Sequence, residues 1–523
     1  MDSTSASAVT TASRKWSGAV LAVLAGAALP VWLYLQLFSE ALIDDTFITL
    51  QYARTLRDHG DWGFFPWEVT NTATSPLNVM LTAATGLVVP DLIQAALLLA
   101  TIEALILLGT LLLLSRHISG TYSFGAISFL AIMLNPLLIS TLGLEPLLYT
   151  TLLMACIYAF IIWRHTTLAI LLALLTLTRP DGFLLFPIML GAVLAAHRGK
   201  GPASTQAAGD RRSSIRPLLR IAARFCGVYL LCLAPWYLFS WIYLGSLVPN
   251  TLLIKREQGT WECYNFLNGV LFYYQKYPRE VPLALLLAPF ALLCLRLKNH
   301  KAAVVAGILF LFSSLYFAGY VILGVPPYHW YFVPVVIPWS VLGILGLTSL
   351  VDREGPARSQ AVRVGLYTLS CIVALAGILA FAGDRKLPLV QSPIHTNWAT
   401  HNRYREIGLW LRDNVDAQAN IQLWGEIGTV AYYSERRLVD VFSCRVNNRD
   451  IRRQVEALRG VRRLLARANF RWLRTDTACT PSAYELVMYN FYPSVVDLPP
   501  NVLKEWLIST DWVPIGRVVL VRP

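Results

Sequence analysis

The chain has 523 residues, of which 56% are hydrophobic and only 14% are charged. An ordinary soluble domain carries about 25% charged residues, so this composition excludes a soluble globular protein and indicates one that crosses a membrane several times. The excess of 44 Lys and Arg over 31 Asp and Glu is attributed to basic cytoplasmic loops, because no nucleic-acid recognition motif accompanies it.

Eleven apolar segments are predicted to span the membrane, since each approaches the roughly 20 residues that a bilayer requires. The first is interpreted as an uncleaved span, because it is longer than the apolar part of a signal peptide and no small-residue cleavage site follows it. A shorter apolar segment, 75–89, is predicted to lie at the membrane interface. The predicted spans are 17–38, 91–115, 123–141, 147–163, 166–178, 181–197, 220–244, 283–297, 302–323, 330–350 and 364–383.

The distribution of Lys and Arg predicts the orientation of these spans. Basic residues collect in alternate loops, among them the long loop 198–220, and such loops remain in the cytoplasm. The amino terminus is then cytoplasmic, and the acidic loop 40–75 and everything after Gly383 lie outside. We therefore predict a multi-pass protein of the bacterial inner (plasma) membrane. Its domains are a transmembrane domain over 1–383, with interfacial helices in an outer loop 40–90, and a soluble extracytoplasmic domain over 384–523.

The tail after residue 384 alternates helix-like and strand-like runs. A helix is predicted from Tyr404 to Asn414, because its apolar residues recur at helical spacing, and further helical runs lie near 427–434 and 450–467. Strands are predicted at 421–424, 437–442, 470–474 and 518–521. This alternation is typical of a small α/β domain.

Arginine is concentrated in one part of the tail. Between Arg449 and Arg474 there are nine Arg and two acids, with apolar residues at helical spacing. The pattern predicts an amphipathic helix that packs on the small domain and exposes its basic face. The alternative is a basic surface that docks on anionic lipid or on an anionic acceptor.

Asp44 and Asp45 follow the first span directly. Carboxylates so close to a bilayer are costly unless they face water or a functional site. One acid is enough to cap the helix that follows, whereas two adjacent acids repel each other, which raises the pKa of one of them and can prepare a general base. We predict that the pair is catalytic, with the helix cap as the alternative.

Several short motifs accompany this acidic pair. They are the Asp-Asp-x-Phe-Ile-x-x-x-Tyr-Ala-Arg run at 44–54, Thr-Ser-Pro-Leu at 74–77, Gly-x-Glu at 143–145, Leu-Thr-Arg-Pro-Asp-Gly at 177–182, Leu-Val-Pro-Asn-Thr at 247–251 with Lys255, and two motifs of the tail at 404–408 and 425–433. In this order they resemble the GT-C superfamily of integral membrane glycosyltransferases. More narrowly, they resemble the members that use polyprenyl-phosphate sugars, including bacterial arabinofuranosyltransferases.

The resemblance implies a fold, a reaction and its partners. The fold is a polytopic α-helical membrane protein with about 11 transmembrane helices and a small extracytoplasmic α/β domain. The reaction is inverting transfer of a sugar from a polyprenyl phosphate to an envelope glycan or an exported protein, with Asp44 or Asp45 as the base. Arabinofuranose is the favoured sugar, and mannose or another hexose is the alternative. A transporter or flippase, or a non-catalytic envelope assembly protein, remains an alternative function.

A departing phosphate requires positive charge or hydrogen-bond donors. Candidate contacts to the donor phosphate or sugar are Arg54, Arg179, Lys255, Tyr328, His329 and Tyr331, and candidate contacts to the acceptor or the sugar are Glu145, Asn250 and Glu426. Several of these candidates also have a structural interpretation. Arg179 and Lys255 could anchor the chain at the membrane interface, and His329 could belong to an aromatic belt. Glu145 could be a charge at a helix terminus, and Glu426 could be structural.

No metal-binding pattern stands out in the sequence, and there is no phosphate-binding loop of the Walker type. The sequence therefore specifies no cofactor, although the second acid of the pair leaves a divalent cation open. Of the eight cysteines, Cys444 and Cys479 both lie in the predicted outer domain. An oxidising compartment would permit a disulfide between them.

Overall fold

The computed structural model describes most of the chain. The described residues are 3–66, 68–198, 211–251, 255, 258, 260–261, 263–351, 387–441, 448–473, 482–490 and 500–522. The predicted domain boundary at 383/384 and the predicted span 364–383 therefore lie outside the described residues, as do Cys444 and Cys479.

Helices make up the amino-terminal part. Asp91 and Asn299 cap two of the long helices with side-chain oxygens that accept hydrogen bonds from backbone amides. The α-helices are α1 Ser3–Gln36, α2 Asp44–His59, α3 Pro76–Gly86, α4 Leu92–Ser119, α5 Ser123–Met133, α6 Pro136–Ile139, α7 Pro146–Ile161, α8 His165–Thr178, α9 Leu185–Arg198, α10 Arg211–Phe239, α11 Gly269–Lys276, α12 Glu280–Leu285, α13 His300–Leu323 and α14 Val333–Val351. Shorter 3₁₀ segments lie at Pro180–Leu184, Ala288–Arg296 and His329–Phe332, and a π-helical turn at Ser240–Leu244.

In the described part of the chain, six helices are long and apolar enough to cross a membrane: Gly18–Gln36, Leu92–Ser119, Pro180–Arg198, Arg216–Leu244, His300–Leu323 and His329–Leu350. Three shorter apolar helices, α5, α7 and α8, accompany them. The predicted span 123–141 is interrupted after Met133, since Asn135 and Pro136 begin a new short helix. The predicted span 283–297 is wrong as a continuous helix, because α12 ends at Leu285 and a 3₁₀ segment follows.

The carboxyl-terminal part is a small α/β structure. Its helices are α15 His401–Asn414, α16 Gly428–Ser434, α17 Asn448–Ala457 and α18 Gly460–Asn469, and its strands are β1 Asn420–Leu423, β2 Arg437–Asp440, β3 Tyr484–Asn490, β4 Val502–Ile508 and β5 Gly516–Val521. The strand order is β2-β1-β3-β5-β4. β1 pairs in parallel with β2 and β3, while β5 pairs antiparallel with β3 and β4.

Several predictions for the tail require correction. Residues 470–473 of the predicted strand 470–474 do not form a strand, because Phe470 closes α18 and a turn follows it. The single helix predicted over 450–467 is two helices, separated before Gly460, which has a left-handed φ of 57°. Strands β3 and β4 were not predicted. Short apolar runs without clear alternation are hard to assign to either structure, which explains these errors.

The membrane part and the carboxyl-terminal part share a hydrophobic core next to α2. One buried cluster contains Tyr52 of α2 and Phe64 of the following loop together with Ile407, Ile421 and Leu520 of the carboxyl-terminal part. This cluster fixes α2, and with it the acidic pair at its start, against the α/β structure.

Candidate functional site

Asp44 lies at the junction between α2 and helix α16. Its side chain is buried, and its two carboxylate oxygens accept hydrogen bonds from the backbone amides of Gly428 at 2.9 Å and Thr429 at 2.7 Å. A side chain at residue 428 would collide with the backbone, since a Cβ there would lie 2.1 Å from the Asp44 carbonyl oxygen. Asp44 therefore holds the two parts of the chain together.

Burial raises the pKa of Asp44 to about 6, although the amides of Thr429 and Gly428 oppose that rise. The folded chain thus retains this proton more firmly than an unfolded chain does. The stabilising contribution of the protonated group is fully present below the unfolded pKa, near 4, and is lost as the pH rises through about 6.

We therefore expect the wild-type protein to lose stability between pH 4 and pH 8, by up to roughly 3 kcal/mol through Asp44. Asp44→Asn cannot titrate, so its melting temperature should change less over the same range. Melting curves of purified protein at several pH values check this. Identical pH slopes for wild type and variant would contradict a raised pKa at Asp44.

Glu426 is a second buried acid at the same junction. Its carboxylate accepts hydrogen bonds from the Trp398 amide at 3.0 Å and from the Tyr404 hydroxyl. Burial, followed by the nearby Asp44 carboxylate, raises the pKa of Glu426 well above its ordinary range. Its oxygens are engaged within the carboxyl-terminal part, which supports a structural role more than a contact to acceptor or sugar.

Asp45 differs from its neighbour in accessibility and partner. Its side chain is 29% exposed, and Oδ1 lies 3.8 Å from Nζ of Lys255. Burial alone would lower the pKa of Lys255, but the adjacent Tyr328 hydroxyl and the Asp45 carboxylate raise it above the ordinary value. The result is an accessible carboxylate beside an ammonium group that stays charged.

Aromatic rings surround this ion pair. The Lys255 ammonium lies 3.9 Å from the centre of the Tyr328 ring and 5.6 Å from that of Trp330, distances that favour a cation–π contact. Tyr331 packs edge-on against Tyr328, with ring centres 5.9 Å apart. The loop before α14 thus provides one wall of the site.

Arg179 lies near Tyr331 in a buried ionic network. Its guanidinium donates to Glu145, to Asp181 at 2.9 Å and to the Tyr320 hydroxyl at 2.6 Å. Its Cζ is 5.0 Å from the centre of the Tyr331 ring. Tyr331 therefore interacts electrostatically with both predicted phosphate contacts, Lys255 and Arg179.

The remaining candidates make other contacts. Arg54 donates to the Tyr432 carbonyl at 2.8 Å and stacks on the Tyr432 ring at 3.7 Å, so it fastens α2 to α16. His329 is fully buried, with its ring beside those of Tyr273 and Trp330. The Asn250 backbone amide donates to the Asn71 carbonyl at 2.8 Å, a contact within the chain rather than to a ligand.

The sequence did not single out three residues that the structure places in these networks. Asn397 accepts a hydrogen bond from the Asp44 amide at 3.1 Å. Tyr320 donates to the same Asp181 carboxylate that pairs with Arg179. Asp181 belongs to the Arg-Pro-Asp motif, which was a usable signal, whereas nothing in the pattern around the other two pointed to the site.

Among the described residues, no group of three or more His, Cys, Asp and Glu side chains is arranged to hold a metal ion. A divalent cation remains a prediction. The proposed Cys444–Cys479 disulfide falls on residues outside the described ranges and also remains a prediction.

The chain was compared with protein families, with curated proteins and with solved structures. Residues 395–517 match a family described as a domain of unknown function, DUF8728. No curated protein matches the sequence. The crystal structure of ArnT from Cupriavidus metallidurans bound to undecaprenyl phosphate is 13% identical, with a TM-score of 0.55, over 96% of this chain and 97% of ArnT.

Two further solved structures are similar. The oligosaccharyltransferase of Archaeoglobus fulgidus, in complex with Zn and sulfate, is 13% identical with a TM-score of 0.51, over 89% of this chain and 67% of that one. The arabinofuranosyltransferase AftD from Mycobacteria is 15% identical with a TM-score of 0.46, over 96% of this chain and 40% of that one. The predicted fold class is confirmed: the chain is a multi-pass helical membrane protein with the GT-C fold of ArnT and the oligosaccharyltransferase and with a carboxyl-terminal α/β structure. The count of about 11 transmembrane helices remains a prediction. At such low identity the similarity establishes fold alone.

Proposed function

We propose that this chain is an inverting glycosyltransferase that takes its sugar from a polyprenyl-phosphate donor on the outer face of the bacterial inner membrane. The observation that carries the proposal is the Asp45–Lys255 pair, an accessible base beside a permanent cation. The GT-C fold supports a donor of this class, as does the undecaprenyl phosphate bound to ArnT, a protein of similar fold.

The proposed step assigns one role to each member of the pair. The acceptor hydroxyl attacks the anomeric carbon from the face opposite the phosphate, and its proton passes to the Asp45 carboxylate. The bond between the anomeric carbon and the phosphate oxygen breaks, and its electrons leave with the polyprenyl phosphate. Lys255 neutralises the charge that grows on this phosphate, and donor binding releases Asp45 from Lys255.

Asp44 is not the base in this proposal. Both of its oxygens already accept backbone hydrogen bonds, and its side chain is buried. A general base must come within hydrogen-bonding distance of the acceptor proton, which favours the exposed Asp45.

Loss of the Lys255 charge should weaken donor use. We expect Lys255→Met to lower kcat/KM for the donor by about 10–100-fold, the range that hydrogen bonds to charged groups support. Lys255→Arg should retain most of the activity. The matched control is Lys276→Met, which removes an exposed lysine of α11 and should leave turnover unchanged. Unaltered donor use in Lys255→Met would remove this residue from the phosphate site.

The donor sugar is tested directly with purified protein and a panel of polyprenyl-phosphate sugars. We propose arabinofuranose first, because the motif order resembles arabinofuranosyltransferases, with mannose or another hexose as the alternative. The acceptor is an envelope glycan or an exported protein. Consumption of one donor, with release of polyprenyl phosphate, identifies the sugar. Movement of a donor across the bilayer without its consumption would instead support a flippase.

A further inference from the structure

Helix α18 has no buried residue, unlike α17 before it, in which Ile451 is buried. Val461, Leu464 and Leu465 are 70%, 69% and 64% exposed, and this spacing places them on one face of the helix. The α18 part of the amphipathic helix predicted to pack on the small domain therefore does not pack there, whereas Ile451 of α17 is buried. A contiguous exposed apolar face usually marks an interaction surface.

Contacts fasten α18 to one end of a membrane helix. The Trp241 indole donates to the Ala468 carbonyl at 2.8 Å. Asn469 accepts hydrogen bonds from the backbone amides of Leu247 at 2.9 Å and Val248 at 3.2 Å. The candidate span Arg216–Leu244 ends at this point. Helix α18 therefore lies at the level where a membrane helix leaves the bilayer.

Exposed apolar residues lie on both sides of this junction. Leu238 and Ile242, near the end of the membrane helix, are 52% and 61% exposed, as expected for side chains that face lipid. Trp241 and Trp472 meet beside them with ring centres 6.5 Å apart. Tryptophan is enriched at the level of the lipid headgroups, so these two rings indicate that the exposed face of α18 lies at the membrane interface, beside the end of the candidate span.

The positive charge of α18 indicates which lipid headgroups it would bind. Arg462, Arg463 and Arg467 lie on α18, Arg471 follows it, and the sequence has no Asp or Glu between positions 457 and 475. A basic polar face opposite an apolar stripe is the pattern of helices that lie in the plane of a membrane with anionic lipids. We propose that α18 binds the membrane surface, with its apolar stripe at the acyl boundary and its arginines on anionic phospholipid headgroups.

This contact holds the carboxyl-terminal part against the bilayer from a second position, apart from its junction with α2. The membrane that the chain itself crosses covers the exposed face of α18, so no partner protein is required at this surface. The inference does not depend on the proposed reaction and fails or succeeds separately from it.

The test places a photoreactive amino acid at Leu464 of the full-length protein, reconstituted in bilayers that contain phosphatidylglycerol. The matched control is the same amino acid at Leu507 of β4, which is 63% exposed in the same part of the chain. We expect roughly tenfold more phospholipid adduct at position 464 than at 507, because only α18 would reach the acyl boundary. Equal adduct at the two positions, or adduct with glycan instead of lipid at 464, would overturn the proposal.

Replacing charge tests the headgroup preference. In the triple variant Arg462→Gln, Arg463→Gln and Arg467→Gln, adduct formation in phosphatidylglycerol should fall severalfold, toward the value in phosphatidylcholine. The control pair Arg403→Gln and Arg412→Gln removes exposed arginines of α15 and should change nothing. Equal adduct in the two lipids for the wild-type protein would refute the assignment to anionic headgroups.

Discussion

Asp45→Asn is expected to reduce sugar transfer by about 10²–10⁴-fold, the usual contribution of a general base. An amide cannot take the acceptor proton, yet it has nearly the same size and keeps a polar group beside Lys255, 3.8 Å away in the wild type. The loss should therefore appear in kcat, with little change in melting temperature. Single-turnover assays with a polyprenyl-phosphate sugar measure it.

Two control variants are needed to interpret the effect of Asp45→Asn. Asp58→Asn removes another acid of the same helix, one that is 39% exposed and pairs with Arg57, and it should leave turnover intact. Asp44→Asn should act mainly on stability and its pH dependence, since both Asp44 oxygens are hydrogen-bonded to the carboxyl-terminal part. Full activity of a folded Asp45→Asn protein would exclude this residue as the base.

The acidic pair shows how far the sequence alone could go. Its position after the first apolar segment predicted a functional location, because charge near a bilayer is expensive. The sequence could not separate the two acids. Their difference comes from amides of Gly428 and Thr429, which are 384 and 385 residues away along the chain, and no local pattern reports so distant a contact.

Some membrane helices could be predicted from the sequence and others could not. Long apolar runs such as 302–323 predicted α13 closely, since length and hydropathy suffice for that assignment. The run 283–297 did not form one helix, because Leu287 and Phe290 pack their backbones directly on Gly343 and Gly346 of α14. The shape of a partner helix decided that local structure, and composition does not encode it.

The ionic network of Arg179 could be foreseen only in part. The Arg-Pro-Asp motif placed Arg179 and Asp181 together, two residues apart. Glu145 and Tyr320 join them from positions 34 and 141 residues distant. The motif thus predicted that Arg179 matters, while the packing of α8, α7 and α13 determined what it contacts.

Arg179→Gln is expected to destabilise the protein by about 3–5 kcal/mol, the usual cost when one partner of a buried ionic group is removed. The guanidinium and Glu145 side chains are only 5% and 7% exposed. Without Arg179, the carboxylates of Glu145 and Asp181 would face each other with no cation to balance them. Thermal unfolding in detergent, followed by tryptophan fluorescence, measures the effect.

A second substitution distinguishes charge balance from a direct part in donor binding. The double variant Arg179→Gln with Glu145→Gln removes one charge of each sign, so it should recover part of the lost stability. If Arg179 acts only by balancing the buried carboxylates of Glu145 and Asp181, the recovered protein should also regain donor use. If Arg179 itself binds the donor phosphate, stability will return while KM for the donor stays high. A double variant no more stable than Arg179→Gln would contradict the ionic origin of the loss.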